Sequence, residues 1–228
     1  MSRKARKNLH IVLLLAVTLL LSACILLPDF VGQSKAGKYD PADSAQRPSA
    51  LAAVPTAETQ TEPHTCGLHA MRSMYVAYGL SPEQYALRFR LGTDQPAVNA
   101  DDQSTGTLHP DLYRVLAQDG FAIAALDLED AGAAGDLQAH LRGQQLALAV
   151  VYRGTYHWVL LGLSDQAGQL VVYDSLEATP MTEPIDSFLD DALSITLVWP
   201  LGSAAPRSAS SVHAAGLAEM VRLYKRKK

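Results

Sequence analysis

Four side chains in this sequence have types and spacings suited to acyl chemistry: Gln60, Cys66, His157 and Asp174. Cys66 follows a polar, proline-bearing segment, Gln60-Thr61-Glu62-Pro63-His64-Thr65, and stands before apolar residues at helical spacing, Leu68, Met71, Tyr75 and Tyr78. A helix that begins at or just after Thr65 places Cys66 in its first turn. There the unpaired N–H groups and the positive end of the dipole favour a thiolate, the form of cysteine that attacks a carbonyl carbon. Gln60 lies six residues upstream on the extended lead-in. Its amide N–H2 can curl back toward the attacked carbon and hold a developing oxyanion.

The second half of this chemistry lies far along the chain. His157 opens the apolar strand Tyr156-His157-Trp158-Val159-Leu160-Leu161-Gly162, whose alternation sends Tyr156 and Trp158 to one face and His157 to the other. Asp174 closes the next strand, in Val171-Val172-Tyr173-Asp174-Ser175. If those strands form a hairpin, the start of one lies beside the end of the other. His157 and Asp174 then become cross-strand neighbours, and the carboxylate orients the imidazole. That is the base and orienter a cysteine nucleophile requires. Each residue taken singly has a plainer reading: a small buried hydrophobe, a surface amide, a strand-end histidine in solvent, an Asp that opens a turn. The matched strand ends favour the chemical reading.

The amino terminus bears on location. Arg3, Lys4, Arg6 and Lys7 precede the apolar run Ile11 to Leu21, which closes on Leu21-Ser22-Ala23-Cys24. This resembles the bacterial lipobox. The resemblance implies a signal peptide of residues 1–23, cleavage after Ala23, and a mature chain that begins at a diacylated Cys24. Ile25 in place of an Asp points to an outer-membrane lipoprotein of the cell envelope, facing the periplasm. A plain membrane anchor is the alternative, since the apolar run continues through Leu27. The sequence holds two cysteines, and the signal takes one. Cys66 is then a lone thiol in a compartment that favours disulfides, which argues for a reactive role. Removing residues 1–23 takes away four cations and no anion, so the formal charge goes from −4 to −8. That balance argues against a nucleic-acid partner.

Residues 24–58, rich in Ala, Ser, Pro, Gln and Asp, read as a flexible tether, and 59–200 as one domain. The Cys66 helix should end near Gly79. Ser81-Pro82-Glu83-Gln84 reads as a capping box that opens a helix to about Leu91. Residues 92–108 look like a long loop. A helix is expected from Pro110 to Asp119, a strand from Phe121 to Leu126 and a helix from Asp136 to Arg142. Strands are expected over Leu146–Tyr152, His157–Leu163 and Leu170–Tyr173, then a helix over Asp186–Asp191 and a strand over Ile195–Trp199. Helices first and a mostly antiparallel sheet later make an α+β fold. Residues 201–228 read as a linker and a basic C-terminal helix with Leu217, Met220, Val221 and Tyr224 on one face.

A helix-borne Cys with a Gln six residues before it, then a strand-borne His and a following Asp, resembles the papain-like cysteine peptidases. Within them it is most similar to the bacterial double-glycine leader peptidases, which trim bacteriocin and pheromone precursors. The resemblance implies that Cys66 attacks, that His157 is general base and acid, and that Asp174 orients it. Gln60 and the Cys66 N–H would form the oxyanion hole. It implies no cofactor and no metal, a peptide or protein substrate, and an export system as partner alongside the membrane met through the lipid anchor. Thr65 and Leu68 stand where the family usually has an acidic residue or Asn, and often a Pro. Transporter-linked members carry a membrane domain and an ATPase, so a stand-alone, lipid-anchored relative is expected. Two other readings stay open: an acyl or peptidyl transferase working through the same thioester, and a binding module without catalysis. His64, Cys66 and His69 are close in sequence but lack a convincing fourth metal ligand. His109, His140 and His213 read as surface or capping residues, and Tyr156 and Trp158 as core.

Overall fold

The structure is a computed structural model, and it describes residues 48, 50–94, 106–203 and the backbone of 212–214. The expected signal peptide, Cys24, most of the tether and the basic C-terminal helix lie outside the described residues.

The helices are α1 (Cys66–Ala77), α2 (Gln84–Arg90), α3 (His109–Gln118), α4 (Ala133–Arg142) and α5 (Ile185–Asp191). The strands are β1 (Phe121–Leu126), β2 (Leu146–Tyr152), β3 (Tyr156–Leu163), β4 (Gln169–Tyr173), β5 (Met181–Pro184), β6 (Ala192–Pro200) and β7 (Val212–Ala214). They form one seven-stranded sheet in the order β5-β4-β3-β2-β6-β1-β7. Every neighbouring pair is antiparallel. The chain is thus an α+β domain with helices packed on an antiparallel sheet.

The sheet is covered on both faces. Strand alternation sorts its side chains into two cores. Leu148 and Val150 of β2 with Trp158 and Leu160 of β3 join α1, α2 and α3 on one face. Ala147, Ala149 and Val151 with Val159 and Leu161 meet α4 and α5 on the other. A strand buried on both faces reads as a continuous apolar run, as Leu146–Val151 does. In α1, Leu68, Met71 and Met74 are fully buried, each stabilising the fold by about 1.5–3 kcal/mol. This helix is the element that presents Cys66. Its seat on the sheet is close: a methyl group at Gly67 would lie 2.6 Å from the Thr107 Cβ and 3.1 Å from Trp158.

Several expectations are corrected. The capping residue of α2 is Glu83, not Ser81: its carboxylate accepts from the Ala86 N–H at 2.6 Å, and Pro82 stays outside the helix. Residues 51–57, read as tether, belong to the folded body. Ala52 and Ala53 donate to the Ala77 carbonyl at 2.7 and 3.1 Å, and Leu51 and Ala57 pack on the core. β5 was not foreseen, because Met181-Thr182-Glu183-Pro184 has no apolar alternation, and it is an edge strand. Within the segment read as linker, Val212–Ala214 pairs with β1. His109 and His140 are buried rather than superficial.

Candidate active site

Cys66 is the first residue of α1, with Thr65 as its N-cap. At that position its own N–H is among the four that a helix leaves without an internal acceptor. The Thr65 hydroxyl makes no side-chain cap. It donates instead to the Glu62 carbonyl at 2.8 Å, so the N-terminal N–H groups are not consumed by a capping oxygen. The first turn of α1 carries no acidic side chain, so no carboxylate competes with a thiolate for the positive end of the dipole.

The lead-in to the helix is fixed at three points. The Glu58 carboxylate accepts from His69 and Arg72 of α1, each at 3.2 Å. Glu62 takes both Arg88 guanidinium N–H groups, at 2.8 and 2.7 Å, which ties the segment to α2. Between them, Gln60 is bound to the far side of the site. Its backbone N–H donates to the Ser175 carbonyl at 2.9 Å, and the Ser175 hydroxyl donates to Gln60 Oε1 at 2.5 Å. Gln60 Nε2 donates to the Glu62 carbonyl at 3.1 Å. With its oxygen turned to Ser175, the amide has one orientation, and one of its two donors is used by Glu62.

His157 is the second residue of β3, and Asp174 follows the last residue of β4. Both are buried, at 2% and 1% exposure. The imidazole Nε2 donates to Asp174 Oδ1 at 2.6 Å. The ring also donates a hydrogen bond to the Cys66 sulfur. The strand pairing is looser than the hairpin expectation. The β3–β4 ladder ends at Leu160 and Tyr173, and one further step of that register sets Asp174 opposite Val159. His157 and Asp174 are therefore diagonal neighbours on one face, and their side chains close the gap.

Two residues that sequence reasoning missed hold this carboxylate. Arg153, in the β2–β3 turn, donates to Asp174 Oδ2 at 3.1 Å and to Glu183 at 2.8 Å. The Leu176 N–H donates to Asp174 Oδ1 at 2.8 Å. With Ser175 gripping Gln60, the chain leaving β4 holds His157 and Gln60 through consecutive residues. Nothing local marks Arg153 or Ser175; their partners lie on distant segments.

The electrostatics follow. Burial works against charge on His157, but the hydrogen bond it gives to Asp174, and then the one it gives to the Cys66 sulfur, override it and raise the imidazole to about 9. Burial likewise opposes charge on Asp174, and the bonds from His157 and the Leu176 N–H prevail, leaving its carboxyl below the usual range. At neutral pH the pair is an imidazolium held by a carboxylate, beside a sulfur at a helix N-terminus.

His64, Cys66 and His69, close in sequence, do not converge. His64 meets Asp94 at 2.5 Å, His69 meets Glu58, and Cys66 meets His157. Glu62, His64 and Asp94 do cluster, but Arg88 spans both carboxylates. Trp158 is core, with its indole N–H on the Thr107 carbonyl at 2.9 Å, whereas Tyr156 is 43% exposed.

No family model matches this sequence, and no curated protein matches it. Among solved structures, the chain is similar to the peptidase domain of Streptococcus ComA, a bi-functional ABC transporter involved in a quorum sensing pathway. The identity there is 17% and the TM-score 0.47, over 64% of this chain and 99% of that one. It is also similar to a double glycine motif protease from an AMS/PCAT transporter in complex with the leader peptide, at 16% and 0.46, over 68% and 99%. A third similar structure is the N-terminal peptidase C39 like domain of the toxin secretion ATP-binding protein from Vibrio parahaemolyticus, at 14% and 0.39, over 60% and 97%.

Proposed function

We propose that this protein is a cysteine peptidase that cleaves a peptide bond through a thioester on Cys66. The observation that carries this reading is the buried chain of contacts from Cys66 through His157 to Asp174, with the sulfur at the start of α1. The thiolate attacks the carbonyl carbon, forming the C–S bond and an oxyanion. The Cys66 N–H and the second N–H of the Gln60 amide hold that oxygen. On collapse the C–N bond breaks, and the His157 imidazolium gives its proton to the leaving amine. Once sulfur is acylated its charge is gone, and with it part of what raised His157. The imidazole is then a neutral base that takes a proton from water as water displaces the thiolate. Asp174 holds the ring throughout, and Arg153 and Leu176 hold Asp174.

The substrate is a peptide precursor of the kind the double-glycine family trims. The enzyme acts as a lipoprotein of the cell envelope, anchored through Cys24, on peptides that leave an export system.

The test is cleavage of peptide by the chain lacking residues 1–47. Cys66→Ala and His157→Ala variants that still fold should lose all cleavage, and Gln60→Ala should lower kcat by about 100- to 1,000-fold. A wild-type Cys66 inert to iodoacetamide at neutral pH would overturn the reading. Mass spectrometry of the membrane-extracted full chain should find residues 1–23 missing and acyl mass on Cys24; an intact Met1 terminus would mean a transmembrane anchor instead.

A further inference from the structure

One face of the β2–β3 hairpin carries a row of cross-strand pairs: Leu148 with Leu160, Val150 with Trp158, and Tyr152 with Tyr156. The first two pairs lie in the core under α1. Exposure then changes abruptly along the row. Val150 and Trp158 are 2% and 3% exposed, whereas Tyr152 and Tyr156 are 57% and 43% exposed. The helix cover stops at this point. Trp158 lies against Gly67, the residue after Cys66, so the row emerges from beneath α1 where the helix begins with the nucleophile. The two exposed rings pack edge to face at a centroid distance of 5.7 Å. The turn beyond them is held by Arg153, whose guanidinium is committed to Asp174 and Glu183.

The geometry points to Tyr152 and Tyr156 as a specificity subsite for an apolar or aromatic side chain of the substrate, on the leaving-group side of the cleaved bond. This rests on the peptidase reading above. The side follows from proton transfer. His157 must reach the leaving nitrogen, and although alternation turns its ring to the other face of the strand, it stands at the same end of β3 as Tyr156, its chain neighbour. The acyl portion must instead turn its oxygen toward Gln60 and the start of α1. The chain beyond the leaving nitrogen is therefore directed to the start of β3, the end that carries the exposed tyrosine pair on its α1-side face. Two rigid rings with polar tips supply apolar contact area at small entropic cost, and a third ring in offset or edge contact adds to plain burial.

The test is digestion of a peptide library by the full chain, read by mass spectrometry, with Cys66→Ala as the blank. For wild type, aromatic and large apolar residues should be enriched within the first few positions after the cleaved bond. In a Tyr152→Ser, Tyr156→Ser double variant with an unchanged thermal unfolding transition, the rate ratio for Phe over Gly at the enriched position should fall about tenfold. A Tyr156→Phe variant, which keeps the ring, should retain it. Cleavage that depends on Cys66 but is indifferent to the leaving side, or a preference that survives in the double variant, overturns the subsite and leaves the peptidase reading standing. Absence of any Cys66-dependent cleavage overturns both.

Discussion

Three histidines of this protein are equally buried, His109, His140 and His157, with 1%, 2% and 2% of their surface exposed. His109 bonds the Ser194 hydroxyl at 2.8 Å beside Trp158, and His140 bonds the Leu146 carbonyl at 2.9 Å. Burial depresses them to about 3 and about 4, so both are neutral at any ordinary pH. His157 is as little exposed, though it lies less deep in the protein, and it is raised to about 9. Beyond that difference in depth, what sets it apart is the partner. The carbonyl oxygens that His140 meets favour its charged form too weakly to offset burial, whereas a carboxylate at 2.6 Å with the Cys66 sulfur does offset it on His157. Burial of a histidine is therefore no guide to its chemistry. The identity of the second group decides whether the ring is packing material or a proton carrier.

The largest effect expected from breaking this contrast comes from His157→Gln, which keeps a polar side chain and removes the titration. Peptide cleavage should fall by roughly a thousandfold or more. Next is Asp174→Asn, which leaves His157 with a neutral partner like those of His109 and His140. Cleavage should fall by roughly 100- to 1,000-fold, and the alkaline limb of Cys66 alkylation by iodoacetamide should move down from near pH 9. An unmoved limb would show that Asp174 does not set the charge of His157.

The contrast also predicts opposite slopes of stability with pH. His157 has a raised folded value, so its contribution is full below about 6.5 and is lost as pH rises through about 9. Asp174, held below its usual range, contributes above about 3.9 and loses that contribution as pH falls. His140 runs the other way from His157: it is favoured neutral, so stability falls as pH drops from about 6.5 toward 4. The size is on the order of 3 kcal/mol, read from denaturant unfolding at several pH values. His140→Gln should flatten that acid slope. The smallest effect is on His157 in Cys66→Ala, measured by NMR titration. Its value should fall, but by less than in Asp174→Asn, because the carboxylate bond is the larger of the two influences.

Much of this fold is legible in the chain. The apolar spacing of Leu68, Met71, Tyr75 and Tyr78 foretells α1, and the runs Leu146–Tyr152 and Tyr156–Leu163 foretell the central hairpin to within a residue. These are long segments whose period states their partner face. The short, polar β5 has no such period and owes its existence to the edge of β4. Tyr152 and Tyr156 alternate as core residues do, yet they stand in the open, because exposure depends on where α1 ends and not on strand period.

By itself, the sequence determined that one thiol precedes an amphipathic helix, and that one histidine and one carboxylate sit at matched strand ends. These are local facts, carried by residue type and spacing. The tertiary structure decided that they meet. It set a diagonal register rather than a direct pair, turned the Gln60 amide through Ser175, and brought Arg153 across from another turn to Asp174. It also decided that His157, and neither His109 nor His140, received a carboxylate. The physical reason is that a side chain's charge depends on the groups within a few ångströms, and in a folded chain most of those groups come from distant sequence.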